Sequence, residues 1–168
     1  MNVHVQNNRR LQSDLACCPA ADAVRYRLIN SCQHTYIRRL AVNHDLKSNK
    51  ENAIAFYRTA YSGDPAKAVE MYVGSEYIQH NPLVGDGKQA FIEYFDKMAS
   101  EYPGKEIEFV RAVAEGELVA LHTHQTWPGN EEYITMDFFR FDNNGKIVEH
   151  WDSIQEVPGE SKNGNPMY

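Results

Sequence analysis

Asp137, His150 and Asp152 are the residues of this chain whose types and spacing could move a proton. Two carboxylates and an imidazole on one patch form a general acid–base set: one group takes the proton while its neighbours orient or tune it. All three lie in Tyr133 to Pro158, YITMDFFRFDNNGKIVEHWDSIQEVP. Tyr133 to Asp142 alternates bulky and polar residues, Asp142-Asn143-Asn144-Gly145 is a turn signal, and the alternation resumes from Lys146 to Ile154. Side chains alternate along a strand with period two, so His150 and Asp152 share a face. A two-residue or four-residue loop pairs Phe141 with Lys146 and sets Asp137 opposite His150. A three-residue loop with a bulge at Gly145 shifts the register by one and separates them.

The plainer account of these residues is a cross-strand pair on a wet face. Val148 and Ile154 share the parity of His150 and Asp152, which makes that face mixed, as a pocket lining is. Trp151 and Phe139 are assigned to the opposite, core-forming parity. His122-Thr123-His124 carries two imidazoles on one face of a strand, with Gly116 six positions before His122, an arrangement similar to the first half of the cupin metal motif. No glutamate follows at the required distance and no second histidine motif appears, whereas a metal site needs about three converging ligands. No metal is therefore expected, and His122, His124 and the strand-end Trp127 are candidate substrate contacts. His80 and Asn81, in the loop His80-Asn81-Pro82, are further candidates.

These groups need elements to position them. Ser48-Asn49-Lys50-Glu51 reads as a capping box opening a helix to Tyr61, with Ile54, Tyr57 and Tyr61 on one stripe. Gly63-Asp64-Pro65 ends it and starts a second, short helix. Glu76 to Gln79 reads as a short extended segment. Phe91, Phe95, Met98 and Tyr102 recur at helical spacing before Pro103-Gly104 closes a third helix. Strands follow at Glu106–Ala114, Leu118–Trp127, Glu132–Asp142 and Lys146–Ile154. Helices followed by a run of strands give an α+β order rather than an alternating parallel one.

Composition bounds the rest. With 168 residues, 42% of them hydrophobic, the chain can bury one sizeable core. No apolar run approaches the length of a membrane span. A formal charge of −6 argues against a nucleic-acid partner. Residues 1–46 hold six arginines against three aspartates, together with Cys17, Cys18 and Cys32. They lack sustained periodicity and a continuous apolar core of a signal, so a flexible extension is expected there. The expected domain covers residues 47–158, and 159–168 form a tail. A body without cysteine suits a reducing compartment, and the cytoplasm is the expected location.

The run Asp137-Phe138-Phe139-Arg140, Asp142 to Gly145, Lys146-Ile147 and Glu149-His150-Trp151-Asp152 resembles the C-terminal signature of SnoaL-like polyketide cyclases. Upstream the likeness extends through Tyr77-Ile78-Gln79-His80-Asn81-Pro82 and Asp86-Gly87 to the helix at 51–61, covering about residues 49–158. It implies an NTF2-like cone, with three N-terminal helices packed on a strongly bent antiparallel sheet around a deep pocket. It also implies ring closure by intramolecular aldol condensation of a small, apolar, carbonyl-containing ligand, without metal or cofactor. Asp152 matches the family's acid–base aspartate, and Asp137 stands where the best-known cyclase has a histidine. The His80–Asn81 segment falls at the pocket mouth in the family. A homodimer is expected through the uncovered sheet face, with Phe139, Phe141, Trp151 and Ile147 supplying its apolar surface.

Overall fold

A computed structural model describes residues 45–168, and the reading of 1–44 lies outside the described residues. Three helices come first, α1 (Leu46–Tyr61), α2 (Pro65–Tyr72) and α3 (Gly87–Glu101), with strand β1 (Val73–Gln79) between α2 and α3. Strands β2 (Glu106–Glu115), β3 (Leu118–Trp127), β4 (Glu131–Phe141) and β5 (Ile147–Glu156) follow. They form one five-stranded sheet in the order β1-β5-β4-β3-β2.

Helix α1 begins two residues before Ser48. Asp45 is the cap, its side chain accepting from the Ser48 N–H at 3.0 Å. The buried face runs Asn49, Ala53, Phe56, Tyr57 and Ala60 at helical spacing. It ends in a Schellman motif in which Gly63 N–H donates to Ala60 O and Asp64 N–H to Thr59 O. Gly63 takes a φ of 92°, which a side chain would strain. Pro65 then opens α2 at its first turn. On α3, Phe91, Phe95 and Met98 are buried while Tyr102 falls just past the end, half-exposed.

The segment at Glu76–Gln79 proves to be the end of a seven-residue strand. It pairs parallel with β5, so the sheet is mixed rather than wholly antiparallel. Local sequence pattern carries no sign of strand direction, because β1 takes its direction from pairing with β5, a strand distant in the chain.

The β4–β5 hairpin departs from every register expected for it. Asp142 N–H donates to Lys146 O, Gly145 has a φ of 72°, and the Asp142 carboxylate accepts from Asn144 and Lys146 N–H. That is the three-residue turn. Phe141 then pairs with Ile147, but Arg140 pairs with Glu149, so one further residue slips at Val148. Two single slips restore the parity. Asp137 stands opposite Asp152, and His150 opposite Phe139.

The helices cover one sheet face and share an aromatic core with it. Phe56 stacks on Phe91 at 4.8 Å between centroids, and Tyr57 meets Phe139 edge-on at 5.1 Å. Phe139 lies on the face of Asp137 and is fully buried, which corrects its assignment to the other parity. Phe141 and Ile147 are also fully buried, so none of these three can supply a dimer surface. The outer face instead exposes Val113, Leu118, Met136 and Phe138. Among the described residues, no helix is long and apolar enough to cross a membrane.

Candidate active site

Between the helices and the inner sheet face lies a cavity of about 130 Å³. Asp137 and His150 line it from adjacent strands, both almost wholly buried, and Asp152 lines it half-buried. Asn81, Trp127 and Ile154 complete the wall on the same side, and Tyr57, Tyr61, Tyr94 and Phe95 face them from the helices. Leu83, the most exposed large apolar side chain among the described residues at 79%, stands at the rim.

The hydrogen bonds fix much of the protonation by counting. The backbone N–H of Asn81 donates to Gln79 Oε1 at 2.9 Å, which pins that amide. His150 Nδ1 faces the same oxygen at 2.9 Å and must therefore carry a proton to donate. Its Nε2 closes a triangle with Tyr57 and Asp137. Tyr57 Oη is 2.6 Å from Asp137 Oδ1 and 2.9 Å from His150 Nε2, and Nε2 is 3.2 Å from Oδ1. Thr135 donates to Asp137 Oδ2, and its hydroxyl is 2.6 Å from that of Thr123. Burial first, and the neighbouring Asp137 second, push the Tyr57 phenol well above its ordinary value, so it stays a donor. The tyrosine proton serves one edge of the triangle, and His150 Nε2 and Asp137 Oδ1 face each other along another.

Asp152 differs. Asn81 Nδ2 donates to its two oxygens at 2.9 and 2.7 Å. An amide carries no charge, so this carboxylate is oriented without being neutralised. Asn81 is itself held because its own Oδ1 accepts from Leu83 N–H at 2.8 Å.

One atom each of Asp137, His150 and Asp152 lie within 4.8 Å of one another, the spacing of a metal-ligand set. His150 has both ring nitrogens engaged, so a cation there would have to displace Gln79 or Tyr57 from it. The other expected contacts fall elsewhere. His122 and His124 point to the outer face, where His122 Nδ1 accepts from Arg111 at 2.9 Å and His124 Nε2 meets Glu132 at 2.6 Å. His80 stacks on Trp151 at 4.9 Å and bonds Glu149, again away from the cavity. Alternation shows that two side chains share a face, not which face is inner.

Three residues of the site escape sequence reasoning. Tyr57 reads as helix core, and Gln79 only as the end of a short extended segment. Lys105 follows the Pro103-Gly104 turn and enters the cavity wall. Its Nζ lies 3.6 Å from the Trp127 ring centroid and 4.8 Å from that of Tyr61, and it donates to Met98 Sδ at 2.8 Å. Burial lowers its ammonium to about 7, while the two ring faces favour the cation.

The model of the SnoaL-like domain family matches residues 53–150. No curated protein matches the chain. Among solved structures, TsrD from Streptomyces laurentii is similar at TM-score 0.59 and 18% identity, covering 67% of this chain and 92% of that one. IdmH of Streptomyces antibioticus, assigned as a polyketide cyclase, gives 0.57 and 17%, covering 67% and 93%. An LEH-like epoxide hydrolase of M. tuberculosis gives 0.57 and 17%, covering 67% and 86%. At such identities the likeness is one of fold.

Proposed function

Because the chain belongs to the SnoaL-like domain family, we propose that it is a cofactor-independent acid–base enzyme acting beside the carbonyl of a small, largely apolar substrate. Asp152 is the base that removes a proton alpha to the carbonyl, for an aldol-type ring closure or an isomerisation. One observation carries this reading. Asp152 is a cavity carboxylate held in place by Asn81 with no cationic partner among the described residues, whereas its ladder neighbour Asp137 is matched by His150. The hydrogen bonds of Asp137 to Tyr57, Thr135 and His150 hold it in its own set and position the wall against which the substrate lies. Aromatic side chains around it exclude water, which strengthens the electrostatic interactions inside.

The kinship with IdmH supports the cyclase branch of this chemistry, and the epoxide hydrolase shows that the same fold serves a ring-opening reaction. A cavity of about 130 Å³ matches a single six-membered ring, the size of ligand that a void of about 150 Å³ accepts. The protein is proposed to act as a cytoplasmic homodimer, joined through the outer-face patch around Phe138 rather than through the buried residues first considered.

The test is exchange of alpha protons into D2O, followed by NMR on a panel of small 1,3-dicarbonyl compounds. Asp152→Asn should slow exchange by about 10² or more, with far-UV CD unchanged. A variant that exchanges as fast as the parent would overturn the base assignment and leave the cavity a binding module.

A further inference from the structure

Removing an alpha proton leaves negative charge on the carbonyl oxygen, and an enzyme of this kind needs a donor or cation where that charge develops. The histidines expected as substrate contacts, His80, His122 and His124, lie on the other side of the sheet or on the Trp151 ring. Asn81 is committed to Asp152. His150 is committed to Gln79 and to the Tyr57–Asp137 pair. One cationic side chain remains on the cavity wall. Lys105 has no carboxylate within ion-pair distance among the described residues, and its neighbours are an indole face, a phenol face and a thioether.

We propose that Lys105 is the oxyanion-binding group of this site, pairing its ammonium with the enolate or phenolate oxygen of the ligand. The inference deepens the acid–base reading and rests on it for the reaction. The charges balance. In the resting cavity the Asp152 carboxylate and the Lys105 ammonium stand at separate places. When the C–H bond breaks, its proton goes to Asp152 and its electrons move onto the carbonyl oxygen. The negative charge thus leaves Asp152 and arrives on the ligand, where Lys105 meets it. An amine whose ionisation lies near neutrality matches such an oxygen closely enough to share its proton. A ligand with a hydrogen-bonding oxygen at one end and an acidic C–H toward Asp152 fits both groups. This favours 1,3-dicarbonyl compounds as substrates and phenols as ligands of Lys105 alone.

The assay uses 4-nitrophenol, whose phenolate absorbs in the visible and whose neutral form does not, so it reads the oxyanion site without turnover. The full chain should bind the probe as phenolate. Lys105→Met should weaken that binding about 10- to 100-fold, the range for losing a hydrogen bond to a charged group, and shift the bound probe toward its neutral form. The neutral isostere 4-nitrotoluene should bind both proteins alike, showing that the cavity is intact. Alpha-proton exchange by Asp152→Asn reads the base assignment separately, so its failure and that of the Lys105 assignment are distinguishable. Three results would overturn the proposal: no phenolate binding by the parent protein, equal phenolate binding by Lys105→Met, or equal loss of both probes in that variant.

Discussion

Replacing Tyr57 with phenylalanine removes one oxygen from the centre of the site and leaves everything else in place. The ring keeps its contacts with Phe139 and Phe95, so no cavity larger than a hydroxyl is created. The bond lost is the 2.6 Å donation to Asp137, together with the 2.9 Å contact to His150. A buried hydrogen bond to a charged group is worth about 1.5–3 kcal/mol. His150 and Asp137, already 3.2 Å apart, can close and recover part of this, so about 2 kcal/mol should be lost. For a domain of this size that lowers Tm by roughly 5–10 °C. Urea unfolding and thermal melts by far-UV CD measure it directly. A cycle with Asp137→Asn should show a coupling of at least about 1 kcal/mol between the two positions. A Tyr57→Phe loss below about 0.5 kcal/mol, or no coupling, would refute the triangle.

Two further outcomes follow. Lys105, at about 7 when folded against 10.5 as its ordinary value, binds fewer protons in the folded state across that window, so stability should rise with pH there. Relative to Lys105→Met, the parent protein should gain in urea midpoint between pH 6.5 and 9.5, and a constant difference would show that the amine is not desolvated. Phe138→Glu, on the exposed outer face, should convert a homodimer to a monomer by light scattering at tens of micromolar without altering the CD spectrum; a parent protein that is itself monomeric at that concentration would end the dimer proposal.

Periodicity and turn chemistry sufficed for the order of helices and strands, because each signal there is local. The shared face of His150 and Asp152 was legible for the same reason. What lay beyond reach depends on partners far apart in the chain. The Tyr57 hydroxyl meets residues 80 and 93 positions away, and nothing within α1 distinguishes it from a core aromatic. On β3 both parities mix polar and apolar residues, Val119, Leu121, Thr123 and Gln125 against Leu118, Ala120, His122 and His124. The choice of inner face therefore fell to the packing of the helices. Strand β1 gave only its last residues to pattern reading, since Gly74 and Ser75 interrupt it.

The two slips in the β4–β5 hairpin carry a consequence for how this protein can vary. One residue more between Asp142 and His150 would turn Asp152 and His150 out of the cavity together, exchanging them for Glu149 and Trp151, and one fewer would bring in Trp151 and Ser153. Changes in twos keep them on the inner face, two positions along the strand. Length variants of this hairpin that retain the inner-face carboxylate should accordingly differ from this chain by even counts, or pair each insertion with the loss of the Val148 bulge.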